Sequence, residues 1–270
     1  MYKSSSVKTE QAAWNMRNKQ FSVPKPIIRW SFLLLRPAEF GKAHIDLFKQ
    51  ALKAGGLGQA DPVSPQGQQG FSASLVVGQD DANDEKIKAA LGQVAKLQIP
   101  FLLVILPAKG PITYNRVKYW ADVKFGIHTV CAVNEKVQKE VGKGQGGMQY
   151  FANLTLKFNL KNGGANQLLP PERLGFLKDG DTMLVGIDVT HPAPGSMEGT
   201  PSIAAVVSSV NSQYAQWPGS IRCQESKKEM VSALQEMMEE RLEYWIKQNK
   251  NMCPRRVLIY RDGKLLGLSQ

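Results

Sequence analysis

The fold of this chain is decided by one unbroken apolar stretch, Pro100-Phe101-Leu102-Leu103-Val104-Ile105-Leu106-Pro107. Six apolar residues between two prolines predict a short strand that is buried on both faces, because a strand with one wet face would alternate apolar and polar residues. The stretch is far shorter than the roughly 20 apolar residues that a membrane-spanning helix needs. It therefore indicates the middle of a parallel sheet.

Apolar runs and helical periodicity alternate on both sides of that stretch. Further strands are predicted at Ile27–Leu35, Ser74–Val77 and Ile127–Val133. The helical spacing of apolar residues predicts helices at Phe40–Ala51 and, after an acidic start, around Ile87–Val94. This alternation is typical of an α/β, Rossmann-like domain with a parallel sheet that is covered on both faces.

A segment rich in glycine and proline, Gly163–Asp181, interrupts the periodicity and marks the predicted domain boundary. Beyond it the pattern changes to longer elements. We predict strands at Thr182–Val189 and Ser202–Val210, one long helix at Glu225–Lys247 and a buried strand at Arg256–Tyr260.

The charge balance indicates a polyanionic partner. Lysine and arginine outnumber aspartate and glutamate by 34 to 23, which gives a formal charge of +11. Such a charge favours RNA, DNA or an anionic membrane surface. Lys109–Lys161 carries nine basic and three acidic residues, whereas Thr182–Asn249 carries five and eight. The first half is therefore suited to phosphate and the second to a cation.

Several classes of protein are disfavoured by what the sequence lacks. Met1–Gln20 is polar and has no apolar region of the kind found in signal peptides. The cysteines, Cys131, Cys223 and Cys253, form no Cys-x-x-Cys pair, which argues against a disulfide framework and a zinc site. No Gly-x-Gly-x-x-Gly follows the first strand, so a nucleotide-cofactor enzyme is disfavoured. We expect a protein of a reducing compartment, the cytoplasm or the nucleus.

Four separated segments resemble motifs of the Argonaute family. In chain order they are Trp14-Asn15-Met16-Arg17-Asn18-Lys19-Gln20-Phe21; Tyr114-x-x-x-Lys118; Leu156-Lys157-Phe158-Asn159-Leu160-Lys161-x-Gly163-Gly164; and Gly186-x-Asp188-Val189-Thr190-His191-Pro192 followed by Tyr260-Arg261-Asp262-Gly263. Their order and spacing cover nearly the whole chain. The chain thus resembles a eukaryotic, fungal-like Argonaute.

The resemblance implies a domain order. Residues 1–25 would be the end of an interdomain linker, and residues 26–165 a MID domain, which binds the 5′ end of a guide RNA. Residues 166–181 would be a connector, and residues 182–270 the first part of a PIWI domain with an RNase H-like fold. Because the sequence after Gly263 departs from the family's pattern, we expect that PIWI domain to be truncated.

Two pairs of residues carry the predicted guide site. Tyr114 and Lys118 lie four residues apart, so a helix started by Pro111 would place ring and ammonium on one face. Lys157 and Lys161 repeat this spacing. Converging lysines favour an anion between them, and a terminal phosphate whose base stacks on Tyr114 fits, since stacking contributes roughly 1–3 kcal/mol per base. Lysines four apart can also form an ordinary solvated helix face; the resemblance favours the phosphate.

One position of the predicted guide site departs from the family. The family often has a glutamine in the strand near Cys131, where this chain has Val130. The side chain of Val130 cannot donate a hydrogen bond to phosphate. We expect His128 or Thr129 to supply that contact instead.

The resemblance also implies a metal-dependent nuclease site. Asp188 and Asp262 follow predicted strands and match the family's metal-binding carboxylates, which hold Mg²⁺ or Mn²⁺. Glu229, at the start of the predicted long helix, resembles the third catalytic acid. His191 is expected to be structural.

Three functions remain open on these residues. The leading hypothesis is binding of a small guide RNA with a 5′ phosphate in RNA interference, with target RNA and silencing-complex proteins as further partners. The alternatives are an endoribonuclease that cleaves guide-paired target RNA and an interaction module that competes with an intact Argonaute. A membrane-surface role is disfavoured because the basic residues are interspersed with core positions.

The two halves are expected to differ in stability. A sheet cut after Tyr260 leaves a strand edge and apolar faces uncovered. We therefore predict that Thr182–Gln270 is less stable than Pro26–Lys161.

Overall fold

The computed structural model describes residues 19–142 and 148–261. The chain divides into two compact units, Met1–Gln167 and Leu168–Gln270, called here the first and second unit. No helix within the described residues is long and apolar enough to cross a membrane.

The first unit is built on a parallel sheet. Its strands are β1 (Trp30–Arg36), β2 (Phe71–Ser74), β3 (Phe101–Leu106) and β4 (His128–Val133). They lie in the order β2-β1-β3-β4, and every neighbouring pair is parallel. All six residues of β3 are buried, as a strand covered on both faces requires. The predicted α/β, Rossmann-like fold is thereby confirmed.

Helices cover both faces of this sheet. They are α1 (Lys42–Gly55), α2 (Asp80–Lys96), α3 (Pro111–Lys118), α4 (Asn134–Gly142) and α5 (Met148–Lys161). One apolar cluster joins α1, α4 and α5 to one face, and a second joins α2 and α3 to the other. Alternate residues of β1 and β3 therefore enter different clusters.

Two strand boundaries in the first unit differ from the prediction. The strand predicted at Ser74–Val77 is wrong, because β2 ends where that segment begins. The Asn83 side chain donates to the Val76 carbonyl at 2.7 Å and accepts from its N–H at 2.9 Å, so it satisfies the groups that a sheet partner would bind. At the other boundary β1 begins at Trp30, since the N–H of Ile27 is bonded to the Leu57 carbonyl instead.

The second unit is a mixed sheet with one long helix. Its strands are β5 (Thr182–Thr190), β6 (Ser202–Ser208), β7 (Gly219–Gln224) and β8 (Arg256–Arg261), and its helix is α6 (Leu234–Gln248). The order is β7-β6-β5-β8; β5 runs antiparallel to β6 and parallel to β8. Two short 3₁₀ turns, Pro171–Arg173 and Gly175–Asp179, precede β5.

Helix α6 covers one face of that sheet. Met183, Val185 and Ile187 pack with Met237 and Trp245 in one apolar cluster. At the edge of the contact, Arg222 of β7 pairs with Glu236 and Glu240 of α6. These two glutamates are thus engaged with the sheet.

Two predictions for the second unit are wrong. The helix does not begin at Glu225 but at Leu234, because the Gln224 side chain holds residues 225–233 in turns, accepting from the N–H of Ser232 at 3.1 Å and donating to the Met230 carbonyl at 3.2 Å. The strand predicted as buried, β8, is an exposed edge strand, since the described residues cover neither of its faces.

Candidate functional site

Most of the predicted guide-site residues gather at the amino end of β4. Lys118 is the last residue of α3, and Lys161 is the last residue of α5. His128 and Thr129 begin β4. Two helix ends and a strand start thus bring together residues that are more than 40 positions apart in the sequence.

The Lys118 ammonium is fully engaged. It donates to Thr129 Oγ1 at 2.7 Å, to the Thr129 carbonyl at 3.0 Å and to Asp122 Oδ2 at 3.0 Å. A lysine ammonium has three N–H donors, so these contacts use all of them. Lys118 is therefore held in one place by the protein itself.

Asp122 is the site residue that sequence reasoning missed. Its Oδ2 lies 3.0 Å from Lys118 Nζ and 3.7 Å from Lys161 Nζ, and its Oδ1 accepts from Thr129 Oγ1 at 2.7 Å. The anion that sequence reasoning placed between converging lysines is thus, for two of them, a carboxylate of the chain. The i,i+4 spacing of Lys118 and Asp122 was the available signal.

The local backbone explains where Asp122 lies. Pro111 starts α3, as predicted, and after Lys118 the helix continues as a π-helix, Tyr119–Phe125. The wider π-turn is often found at functional sites. It ends at Gly126, whose φ of +67° is in the left-handed region that glycine tolerates best. The chain then turns directly into β4, which brings Asp122 to Thr129.

The end of α5 is anchored, and this fixes Lys161. The Asn159 side chain accepts from the Lys25 N–H at 3.0 Å and donates to Asn166 Oδ1 at 2.9 Å. The backbone of Gly164 lies close to the Asn159 side chain, since a Cβ at position 164 would be 2.2 Å from Asn159 Oδ1. The asparagine and the second glycine of this motif are therefore needed to hold the helix end in place.

Tyr114 and Lys157 border the cluster differently. Lys118 Nζ lies 5.8 Å from the centre of the half-exposed Tyr114 ring, within the range of a cation–π contact. Lys157 is exposed, one turn before Lys161 on α5. Burial raises the pKa of the Cys131 thiol, and the positive charges of Lys118, Lys161 and Lys157 each oppose that rise. The three lysines thus share one neighbourhood.

His128 lies at the edge of the cluster, in surroundings that favour the uncharged imidazole ring. Its ring stacks on Phe101 with 5.2 Å between ring centres. Burial, and then the positive charge of Lys161, lower the pKa of His128 below its usual value, while Asp122 opposes the shift. At neutral pH the imidazole is therefore uncharged and has one N–H to donate.

Cys131 lies behind the cluster on β4. Burial raises the pKa of its thiol to about 11, against the opposing field of Lys118. The thiol is protonated at neutral pH, so Cys131 is a packing residue.

In the second unit, Asp188 is exposed near the end of β5. It lies in a shallow groove on the sheet face that α6 leaves open, with Gly186, Ala205, Val207, Tyr260 and Arg261 as other lining residues. Asp262, its predicted partner, lies outside the described residues.

Glu229 does not stand at the start of α6 as predicted. It lies in the turns before the helix, where its Oε1 is 2.9 Å from His191 Nε2. The other ring nitrogen of His191 is 2.8 Å from the buried hydroxyl of Ser202, which also accepts from the N–H of Lys227. His191 thus ties this turn segment to the start of β6, a structural role.

The described residues do not by themselves fit a divalent ion. Among them, no group of three or more histidine, cysteine, aspartate or glutamate side chains could hold a metal. Asp188 is a carboxylate in a groove lined mainly by apolar side chains, and Glu229 is engaged by His191. The predicted roles of Asp188, Glu229 and Asp262 stay predictions.

Comparisons with known proteins agree with the motifs. A family model described as the Piwi domain matches residues 101–267. Argonaute 2 of rice (Oryza sativa subsp. japonica) is 35% identical over 176 residues, which are 65% of this chain and 16% of the rice protein. The chain therefore spans a small part of that relative's length.

Solved structures show the same architecture. The MID-PIWI domains of N. crassa QDE-2 are 31% identical, with a TM-score of 0.68 over 90% of this chain and 65% of that one. The Argonaute of Kluyveromyces polysporus, solved with a guide RNA, is 23% identical, with a TM-score of 0.72 over 93% of this chain and 28% of that one. The latter likeness concerns the fold alone. From the family match, the shared fold and the ordered motifs, it follows that the chain belongs to the Piwi-domain family and has the MID-PIWI architecture of an Argonaute.

Proposed function

We propose that the first unit binds the 5′-phosphorylated end of a single-stranded guide RNA in RNA silencing. One observation carries the proposal: the ammonium groups of Lys118 and Lys161 meet at a single carboxylate, that of Asp122, beside the half-exposed ring of Tyr114. The family match and the MID-PIWI fold support the same function.

The charges of this cluster favour an anion. Among the described residues, Asp122 supplies the one carboxylate that Lys118 and Lys161 face, so the cluster keeps a positive charge there, and exposed Lys157 adds to it. Burial, and then the charge of Lys118, lower the pKa of Lys161, which means that its ammonium is held at a free-energy cost. A bound phosphate would relieve that cost. His128 and Thr129 are the proposed neutral donors beside the lysines.

The aromatic ring gives the site its second component. Tyr114 exposes about two fifths of its surface one helical turn before Lys118. A ring beside a phosphate-binding ammonium suits a terminal nucleotide, whose base can stack while its phosphate is bound. Two similar structures were solved with a guide, an RNA for the K. polysporus protein and a DNA for that of Clostridium butyricum, and both likenesses are of fold only.

The test compares two versions of one RNA that differ only in the chemical group at the 5′ end. The affinity of the purified chain is measured for a short single-stranded RNA with a 5′ phosphate or a 5′ hydroxyl, at two salt concentrations. We expect a preference for the phosphate of about tenfold or more, since a hydrogen bond to a charged group commonly contributes about 1.5–3 kcal/mol. Contacts with the RNA backbone alone would be salt-sensitive and blind to the end group.

Two variants separate the site from general basic attraction. Lys161→Ala should abolish the preference and leave salt-sensitive binding in place. Lys42→Ala, which removes the same charge from an exposed position at the start of α1, should retain the preference. Equal affinity of the wild-type chain for the two ends would contradict the proposed function.

A further inference from the structure

The contacts of Lys118 leave no donor for a ligand. All three of its N–H groups are used, two by Thr129 and one by Asp122. Any anion that binds Lys118 must therefore replace one of these acceptors. Which of these hydrogen bonds breaks determines the free-energy cost of binding.

Exposure identifies the replaceable contact. The Thr129 residue is 1% exposed, and its carbonyl lies in the backbone of a strand paired with β3. The Asp122 side chain is 33% exposed and belongs to the π-helix before that strand. A ligand arriving from solvent reaches the Asp122 contact, whereas the Thr129 contacts lie behind it.

We propose that Asp122 is a built-in competitor for the phosphate: its carboxylate occupies Lys118 and Lys161 in the free protein and must release them when the 5′ phosphate binds. The inference rests on the proposed function and adds an autoinhibitory contact to it. It makes binding an exchange of one anion for another, so that only a strongly charged group displaces the carboxylate.

Asp122 also stabilises the protein when no ligand is bound. Lys118 and Lys161 repel each other, and the pKa of Lys161 is lowered by burial and by Lys118 while Asp122 opposes that shift. Removing the carboxylate would leave two facing ammonium groups without their counter-ion. The same residue therefore stabilises the free protein and weakens phosphate binding.

The two consequences can be measured in one variant. Asp122→Asn keeps the shape: its amide oxygen can still accept from Lys118, and its amide nitrogen can donate to Thr129 Oγ1, which donates to the carboxylate in the wild type. The negative charge is therefore lost and one hydrogen bond reverses its direction. At low salt we expect this variant to bind 5′-phosphorylated RNA about tenfold more tightly and to bind the hydroxyl-ended RNA as the wild type does. Its melting temperature without ligand should fall and should recover in inorganic phosphate.

Two controls define the effect. Asp122→Glu restores a carboxylate and should return the phosphate preference toward that of the wild type. Asp46→Asn removes an equal charge from an exposed position on α1 and should change neither the preference nor the melting temperature beyond a general charge effect. A folded Asp122→Asn chain is verified by its circular dichroism spectrum.

The outcomes separate this inference from the proposed function. If the wild type prefers the phosphate and Asp122→Asn binds it equally or less tightly, Asp122 only positions the lysines and the inference is overturned while the proposed function stands. If Asp122→Asn alone prefers the phosphate, the competitor blocks the site completely and the inference is supported while the proposed function fails for the wild-type chain. If neither chain distinguishes the two ends, both are overturned.

Discussion

Strands β3 and β8 each contain an apolar run, but their environments are opposite. Both are short, largely apolar and parallel to a neighbour, yet every residue of β3 is buried and all of β8 except partly buried Leu258 is exposed. The two strands differ in what packs against their sheets. Helices pack on both faces of the first unit's sheet, whereas α6 packs on one face of the second unit's sheet. An apolar strand shows that burial is favourable; it does not show which segment provides it.

The largest effect is expected on the free energy of unfolding, when one buried and one exposed apolar side chain are each replaced by alanine. Phe48 is 0% exposed and contacts three aromatic rings, so Phe48→Ala should lower the unfolding free energy of the first unit by about 3–5 kcal/mol. Ile259 on β8 is 49% exposed, so Ile259→Ala should cost less than about 1 kcal/mol. Urea unfolding measures both. A cost of 3 kcal/mol or more at Ile259 would show that β8 is covered in solution.

A second prediction concerns the order in which the two units open. We expect limited proteolysis to cut within Thr182–Gln270 at least about tenfold faster than within Pro26–Lys161, because local opening follows the density of buried contacts. A time course analysed by mass spectrometry identifies the first cuts. Equal rates in the two regions would remove the proposed difference in stability.

The smallest effect concerns His128 in the first unit. Its folded-state pKa lies below its usual value, so the neutral ring contributes stability that is present above about pH 6.5 and is lost as the pH falls through the lower folded pKa. The unfolding free energy of the first unit should therefore decrease on acidification more in the wild type than in His128→Gln. Chemical unfolding on both sides of about pH 6.5 tests this. The same pH dependence in both chains would assign it to other groups.

The sequence predicted the first unit well because its signals are local. The apolar run before Pro107 and the spacing of Tyr114 and Lys118 each determine one element, and the structure has both. Asp122 was missed because its role depends on Thr129, and only the π-helix and the turn at Gly126 bring the two together. No periodicity in the sequence marks a π-turn.

The second unit was predicted less well because long-range contacts overrule its local pattern. Residues 225–233 have helical composition, but the Gln224 side chain and the contact between His191 and Glu229 hold the segment in turns. The exposure of β8 likewise depends on which elements pack against it, and its own residues do not encode that. Sequence motifs placed Asp188 correctly near a strand end and Glu229 wrongly at a helix start.

The three thiols give the molecule a built-in chemical label. Cys223 and Cys253, both in the second unit, are exposed, whereas Cys131 lies behind the lysine cluster with a pKa raised to about 11. A thiolate-directed reagent at neutral pH should therefore modify the first two and spare the third for as long as β4 stays packed. Modification of Cys131 would then report the moment at which the proposed guide site unfolds, without any engineered probe.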